Sequence, residues 1–363
     1  MRHKRRKKQT GGVFLQDTKE HRPLLAGLVR GLFLVLALAM LTLLPVPRAA
    51  AAESQPRMVI PLGQAVGIKL FSQGVLVVGL TDITTQQGLA SPAKACGIRT
   101  GDVITHINDT RVSSIEEVQT ILQDLNGREM DLNVLRAEEE LELTTRAAQC
   151  SADGAYKLGA WIRDSMAGIG TLTFVEPATG LFGTLGHGIN DVDTAVLMKL
   201  QTGAITPASV VGVVKGEDGR PGELRGAFTA GEDLGNLFAN TQQGVFGYLT
   251  ENDTFTGTPI PAAKPEEVQE GKATILSTVD GTQVEEYTVE ITKICRNATD
   301  TRDLMLKVTD QRLLDRTGGI VQGMSGSPII QDGKLVGAVT HVLVNDPTRG
   351  YGIFIENMLD AAG

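Results

Sequence analysis

Short stretches of alternating hydrophobic and polar residues fill most of the chain after residue 153. A period of two residues is typical of strands that bury one face. Turns rich in Gly and Pro separate the stretches, which include AVLMKL, GVFGYL, EEYTVEITKI, DLMLKVTD and KLVGAVTHVLV. Many short strands of this kind predict a barrel or a sandwich, so we expect a mainly β protein.

A different pattern precedes these strands, over residues 62–148. VGIKLFSQGVLVVGL indicates strands, and MDLNVLRAEEELELTTRA alternates as two further strands. Between them, SSIEEVQTILQDL places its apolar residues on one helical face, with Ser113 or Ser114 as the N-cap. This order predicts a separate compact unit that mixes helix and strand.

The first 52 residues follow a third pattern. MRHKRRKK is followed by the apolar run GLFLVLALAMLTLL and then by PVPRAAAAES. A basic start, a short apolar run and a tail of small residues are typical of a secretory signal. Counted back to Leu24, the apolar run is also about long enough to span a bilayer. We therefore expect export, by a signal peptide that is cleaved or an anchor that is retained.

Charge and cysteine content exclude several classes of function. The first 30 residues hold nine Lys and Arg against two acidic residues, so the remainder carries a net charge of −15. Such an acidic remainder gives no reason to expect nucleic-acid binding. Three cysteines and five histidines fit no metal-binding spacing. We expect neither a metal nor a cofactor.

The stretch GGIVQGMSGSPII, residues 318–330, carries the candidate chemistry. Small residues at a tight corner let Ser325 and nearby N–H groups face a substrate. A serine nucleophile needs a neutral imidazole to accept its proton. His187, flanked by Gly186 and Gly188, is the candidate base, whereas His341 lies in the apolar run AVTHVLV and is interpreted as a strand residue.

A catalytic serine and histidine usually require a carboxylate that fixes the imidazole tautomer. Asp191 and Asp193 follow His187 closely, Asp233 lies farther along, and Asp310 precedes Ser325 by fifteen residues. The spacing in the sequence does not decide which of these four carboxylates contacts the histidine.

Residues 62–148 resemble a PDZ domain. The resemblance rests on Ala93–Ile98, on Gly101–Ile104 and on Ile107 with Asn108. In that family a peptide adds a strand to the sheet edge behind a glycine-containing loop. The resemblance implies that Val66, Gly67 and Ile68 form this loop, although the usual second Gly before Phe is missing here.

Residues 153–363 are similar to chymotrypsin-like serine proteases. His187 precedes Ser325, and Ser325 lies in a G-x-S-G-x-P run within a β-rich region. The resemblance implies a β-barrel serine protease domain. It also implies an oxyanion hole formed by the backbone N–H groups of Gly323 and Ser325, and a structural role for Ser327.

A closer resemblance is to the stage IV sporulation protein B peptidase family. It rests on GTLTF at 170–174, LGHGI at 185–189, the 318–330 stretch, THV at 340–342 and NDP at 345–347. The family's acid lies in a Val-Thr-Asp run, which implies Asp310 as the third catalytic residue.

That family implies a signalling protease of spore formation. Its members are exported across the forespore inner membrane to the space between two membranes. They cleave themselves and a membrane-bound regulator of an intramembrane metalloprotease, which then processes a sigma-factor precursor. Two alternatives stay open: a quality-control protease of the HtrA type, in which the PDZ unit follows the protease, and an inactive PDZ adaptor.

Overall fold

The computed structural model describes residues 56–137, 139–228, 233–252 and 254–363. The predicted signal or anchor, residues 1–52, lies outside these ranges. Residues Pro56–Gly363 form one compact unit. No helix within the described ranges combines the length and the apolar character needed to cross a bilayer.

Strands dominate the described residues, which confirms the predicted mainly β fold. The helices are Pro92–Cys96, Ile115–Leu125, Gln311–Thr317 and Ile355–Ala362, with a 3-10 turn at Pro265–Glu267. The strands are β1 Met58–Leu80, β2 Ile83–Thr85, β3 Gly88–Ala90, β4 Val103–Ile107, β5 Thr110–Arg111, β6 Glu129–Arg136, β7 Glu139–Arg146, β8 Ala148–Gln149, β9 Tyr156–Lys157, β10 Ala160–Val175, β11 Leu181–Thr184, β12 Leu200–Val214, β13 Glu223–Phe228, β14 Gly235–Thr241, β15 Gly244–Leu249, β16 Ile260–Pro261, β17 Gly271–Asp280, β18 Gln283–Ile294, β19 Leu304–Val308, β20 Pro328–Gln331, β21 Lys334–Leu343 and β22 Asp346–Phe354.

The C-terminal strands close into a barrel in the order β17, β18, β19, β22, β21, β20. Alternation along β18 shows why: Tyr287, Val289 and Ile291 are buried, whereas Thr288 and Glu290 between them face outward. The inward residues pack together in one apolar core. The predicted β-barrel is therefore present, and we call it the C-terminal barrel.

A second closed circuit of strand pairs precedes the C-terminal barrel, and we call it the N-terminal barrel. Its order is β1, β10, β11, β15, β14, β12 and back to β1. Val66, Ile68, Leu172, Ile205 and Val245 belong to its buried core. Two six-membered circuits thus lie side by side in the part of the chain that carries His187 and Ser325.

Strands β1 and β10 extend beyond the N-terminal barrel into a second sheet region with β4, β6 and β7. The helix Ile115–Leu125 covers this sheet, and its predicted N-cap Ser114 forms a capping box with Glu117. Val118 and Leu122 of the helix are buried against the sheet. This region is the PDZ unit.

The long strand β1 belongs to both regions. Its pairing with β10 is interrupted by a register shift between Phe71 and Leu76. Before the shift, β1 also pairs with β12 of the barrel; after it, β1 pairs with β4 of the PDZ unit. Residues 62–71 are predicted to belong to the PDZ unit, because their alternating pattern suits any half-buried strand, but they pair with strands of the N-terminal barrel instead.

Candidate active site

Ser325 lies on a tight loop that precedes β20. The N–H of Met324 donates to Val321 O at 3.1 Å, and the N–H of Ser327 donates to Met324 O at 3.0 Å. The Met324 side chain is fully buried in the core of the C-terminal barrel. Ser325 itself is half-buried, so its side chain lies where a substrate can reach it.

Gly326 brings this loop into direct contact with the N-terminal barrel. Its φ is +96°, and a Cβ built on it would lie 2.0 Å from Thr171 O and 2.6 Å from Leu185 N. No real side chain fits at these distances, so position 326 requires glycine. The loop that carries Ser325 and the segment that leads to His187 are therefore adjacent.

Thr171 on β10 orients the backbone around Ser325. Its N–H donates to Ser325 O at 3.1 Å, and its hydroxyl donates to Gly323 O at 2.8 Å. Its own carbonyl accepts the Thr184 hydroxyl at 2.6 Å. These bonds fix the carbonyl groups of Gly323 and Ser325 toward Thr171.

Two backbone donors of the loop have no partner within the described part of the chain. The N–H groups of Gln322, Met324, Gly326 and Ser327 all donate to backbone carbonyls. Among the residues that the structure describes, no acceptor contacts the N–H of Gly323 or of Ser325. Two such donors, the serine's own N–H and that of the residue two positions before it, are what an oxyanion hole requires. This geometry supports the role predicted for both groups.

His187 follows β11, after Leu185 and Gly186, which both have φ of +69°. Its Nδ1 lies 2.9 Å from Gly188 O. Because a carbonyl only accepts hydrogen bonds, Nδ1 must carry the proton in this contact. In a neutral ring Nε2 then keeps its lone pair, which is the form that a general base needs.

The ring of His341 packs against that of His187. The ring centroids are 4.9 Å apart, and the planes are tilted by 35°. Desolvation by the surrounding protein, followed by the proximity of His187, lowers the pKa of His341 to about 4, although part of the residue is exposed to solvent. Burial also lowers the pKa of His187, against the opposing effect of its bond to Gly188. Both imidazoles are therefore neutral near pH 7. The alternating pattern around His341 does not predict this contact, because His187 and His341 belong to different barrels.

The hydroxyl of Ser325 donates to Thr340 O at 2.6 Å. Within the described ranges, no hydrogen bond joins Ser325 to His187. Thr340 immediately precedes His341, so the hydroxyl already lies beside the histidine pair. Proton transfer to His187 requires the Ser325 side chain to turn away from Thr340.

Asp310 lies at the N-cap of the helix Gln311–Thr317. Its carboxylate accepts hydrogen bonds from the backbone N–H and the guanidinium of Arg312, and from Thr288 N. The Arg312 side chain is the main cause that lowers the pKa of Asp310. The structure thus places Asp310 in contact with Arg312, whereas the ring of His187 bonds to Gly188 O.

The three rival carboxylates also lack a hydrogen bond to His187 among the described residues. Asp191 and Asp193 both form ion pairs with Arg163. Asp233 is exposed, and its backbone carbonyl accepts the Thr250 hydroxyl. In this structure a backbone carbonyl therefore occupies the position at Nδ1 that a carboxylate holds in the usual triad.

Val66, Gly67 and Ile68 offer no open edge to a peptide. They pair with β10 on one side and with β12 on the other. The side chains of Val66 and Ile68 are buried in the core of the N-terminal barrel. The predicted peptide-binding loop is thus an interior barrel strand. Its sequence pattern is that of any half-buried strand and does not reveal which strands lie beside it.

A cleft in the PDZ unit lies elsewhere, between the helix Ile115–Leu125 and the segment 156–162. Its volume is about 990 Å³, and Val118, Leu122, Tyr156 and Ile162 contribute to its lining. In the part of the chain described, Ala160–Ile162 of β10 pairs along one edge only, with β1. The other edge of this segment remains available to a strand.

Comparison with known families decides the class of this site. Residues 154–359 match the family described as SpoIVB peptidase S55, which is more than half of the chain. The chain belongs to the SpoIVB peptidase S55 family. Residues 84–136 also match the PDZ domain family. The resemblances drawn from the motifs are confirmed, and the protein is a serine peptidase with a PDZ unit.

Further similarities are partial. The zinc metalloprotease RasP of Shouchella clausii (strain KSM-K16) is 32% identical over 153 residues, which cover 39% of this chain and 36% of that protein. This chain therefore matches little more than a third of that relative's length. Solved structures of the Rv3671c protease from M. tuberculosis, in active and inactive forms, give TM-scores of 0.34 and 0.32. They are 14% and 13% identical and cover 55% of this chain, and 75% and 85% of their own chains.

Replacement of Gly326 tests the contact between the two barrels. Gly326→Ala should slow the labelling of Ser325 by a fluorophosphonate by at least about 100-fold, because the added Cβ displaces the loop. Gly333→Ala is the matched control: it also has a positive φ, of +75°, but its Cβ meets nothing within 4 Å. Equal labelling rates in the two variants would contradict the close contact.

The lowered pKa of His187 predicts the pH dependence of the same labelling. His187 accepts the Ser325 proton only when neutral, so the rate falls as pH drops through its pKa. Because burial lowers that pKa, the acid limb should lie below the ordinary histidine value of about 6.5. Rate constants measured from about pH 4 to about pH 8 locate the limb, and a midpoint above about 6.5 would contradict the assignment.

Proposed function

We propose that this peptidase is an exported endopeptidase of spore formation that cleaves itself and a membrane-bound regulator of an intramembrane metalloprotease. Loss of the regulator frees the metalloprotease to process a sigma-factor precursor. The observation that carries the peptidase chemistry is the loop of Ser325, with two unpaired N–H donors and the neutral His187 beside it. The signalling role rests on the family.

The place of action belongs to the same proposal. Residues 1–52 direct the chain across the forespore inner membrane, as a signal peptide or as an anchor, to the space between the two membranes. The basic start and the apolar run support this route. The acidic remainder suits a protein substrate and no nucleic acid. The similarity to the zinc metalloprotease RasP supports a link with a metalloprotease.

We propose that the cleft of the PDZ unit binds an extended segment of a protein substrate. The free edge of Ala160–Ile162 supplies backbone donors and acceptors for an added strand. Ile115 of the covering helix and Ile162 line the cleft, are half-buried and supply apolar contacts for its side chains. Beyond the cleft, β10 continues to Thr171, so a bound segment lies on the strand that also orients the Ser325 loop.

Self-cleavage tests the proposed nucleophile. Full-length chain and its Ser325→Ala variant are incubated in parallel, and fragments are followed by mass. Ser325→Ala should abolish fragment formation, because loss of a nucleophile lowers the rate by roughly a million-fold. Ser327→Ala is the matched control, since that buried hydroxyl only contacts Ser277 at 3.1 Å. Fragments that form at the same rate in Ser325→Ala would contradict the mechanism.

Asp310 is proposed as the third catalytic residue on the family resemblance of Val308–Asp310. Asp310→Asn separates this role from the capping role, because asparagine caps a helix as well as aspartate does. If Asp310 reaches His187 during catalysis, the variant should lose roughly 10⁴-fold in kcat with its helix intact. Full activity would instead leave Gly188 O as the group that orients His187. Asp233→Asn is the control for loss of an exposed carboxylate.

A further inference from the structure

The residues that follow His187 form a short hairpin, residues 188–199, which we call the His187 hairpin. The N–H of Met198 donates to Ile189 O at 3.0 Å, and the N–H of Asp191 donates to Val196 O at 2.8 Å. The first residue of the hairpin is Gly188, whose carbonyl accepts the Nδ1 proton of His187. The tautomer of the catalytic base thus depends on where this hairpin lies.

The base of the His187 hairpin is fixed by one side chain. The carboxamide oxygen of Asn240 accepts Ile189 N–H at 2.8 Å, and its NH₂ group donates to Ile189 O and Met198 O at 3.0 and 2.8 Å. Asn240 lies on β14 of the N-terminal barrel. These bonds orient the open end of the hairpin but do not reach its tip.

The tip is fixed from the PDZ side by Arg163. Its guanidinium donates to Asp191 Oδ2 and, at 2.8 Å, to Asp193 Oδ2. The Asp191 side chain has no exposed surface, whereas that of Asp193 is 52% exposed. The other oxygen of Asp191 accepts the N–H of Asp193 and both the N–H and the hydroxyl of Thr194. Asp191 therefore joins Arg163 to the turn at the hairpin tip.

Electrostatics favour this arrangement. Burial alone raises the pKa of Asp191, but the hydrogen bonds from Thr194 and the charge of Arg163 outweigh it and lower the pKa. Asp191 is therefore ionised, and its buried charge needs Arg163 as a partner. Without the Arg163 charge, the buried carboxylate of Asp191 has no ionic partner. Water can then reach this carboxylate only if the hairpin moves.

Arg163 also lies next to the proposed peptide cleft. It pairs with Leu76 of β1 and directly follows Ile162, which lines the cleft. Met198 of the hairpin packs with Leu76 and Val103 of the PDZ unit in one apolar cluster. The His187 hairpin is thus attached to the PDZ unit by an ion pair and by apolar contact.

We propose that Arg163 and Asp191 are positioning residues for His187. Their ion pair holds the His187 hairpin so that Gly188 O keeps the proton on Nδ1 and leaves Nε2 free for Ser325. The inference rests on the proposed role of His187 as the base. It adds that the PDZ unit, through Arg163, contributes to the geometry of the peptidase site.

Histidine NMR reports the tautomer of His187 directly and does not require an active enzyme. Full-length Ser325→Ala chain labelled with ¹⁵N-histidine is compared with the same chain carrying Arg163→Gln, with His187 assigned from His187→Gln. The ring of His187 should be protonated at Nδ1 in the parent and should shift toward the Nε2-protonated form in Arg163→Gln. Arg146→Gln is the matched control, because the partner of Arg146, Glu129, is exposed on the PDZ sheet.

A rate measurement accompanies the spectra. In a chain that retains Ser325, Arg163→Gln should slow fluorophosphonate labelling roughly 10- to 100-fold, and Arg146→Gln should leave it unchanged. If Arg163→Gln fails to fold, Asp191→Asn removes the charge at the other end of the same ion pair and should shift the tautomer in the same direction. An unchanged His187 tautomer in a folded Arg163→Gln or Asp191→Asn chain would overturn the inference. Failure of wild type to label would count against the proposed function, whereas the tautomer shift would still decide the role of Arg163.

Discussion

The hydrogen bonds of Thr171 are the interaction on which the catalytic arrangement depends. Thr171 is fully buried, and its N–H, carbonyl and hydroxyl all have partners, in the Ser325 loop and at the end of β11. Each bond contributes only about 1 kcal/mol, but a buried group left unpaired costs more. The two barrels therefore cannot shift at this point without loss of several bonds at once. The same bonds fix the peptide groups that follow Gly323 and Ser325, and so hold the loop that carries both N–H donors.

Ser325 and His187, the proposed nucleophile and base, each bond to a backbone carbonyl. The Ser325 hydroxyl donates to Thr340 O, and the His187 ring donates to Gly188 O. Both bonds are between neutral groups, so rotation of the Ser325 side chain costs little more than one bond of about 1 kcal/mol. We propose that the attachment of the His187 hairpin to the PDZ unit links a bound peptide to the geometry of His187.

The sequence predicted the local features of the site and missed those made between distant segments. The glycines around Ser325 and His187 indicate positive φ angles and close backbone contacts. Both features are local, so a short sequence motif is enough to predict them. The partners of Arg163, and the contact of His187 with His341, depend on how barrels and sheets meet, which no local pattern encodes. Residues 62–71 show the same limit, because a half-buried strand alternates in the same way in a PDZ sheet and in a barrel. Register and partner are decided by the shift between Phe71 and Leu76.

Peptide mass mapping after fluorophosphonate treatment is the sharpest test of the proposal that Ser325 attacks with His187 as its base. Wild type and His187→Gln are treated under the same conditions and digested. We expect an adduct on Ser325 in wild type and its absence in His187→Gln. An adduct on another residue, or equal modification of Ser325 in both proteins, would rule out this pairing of nucleophile and base.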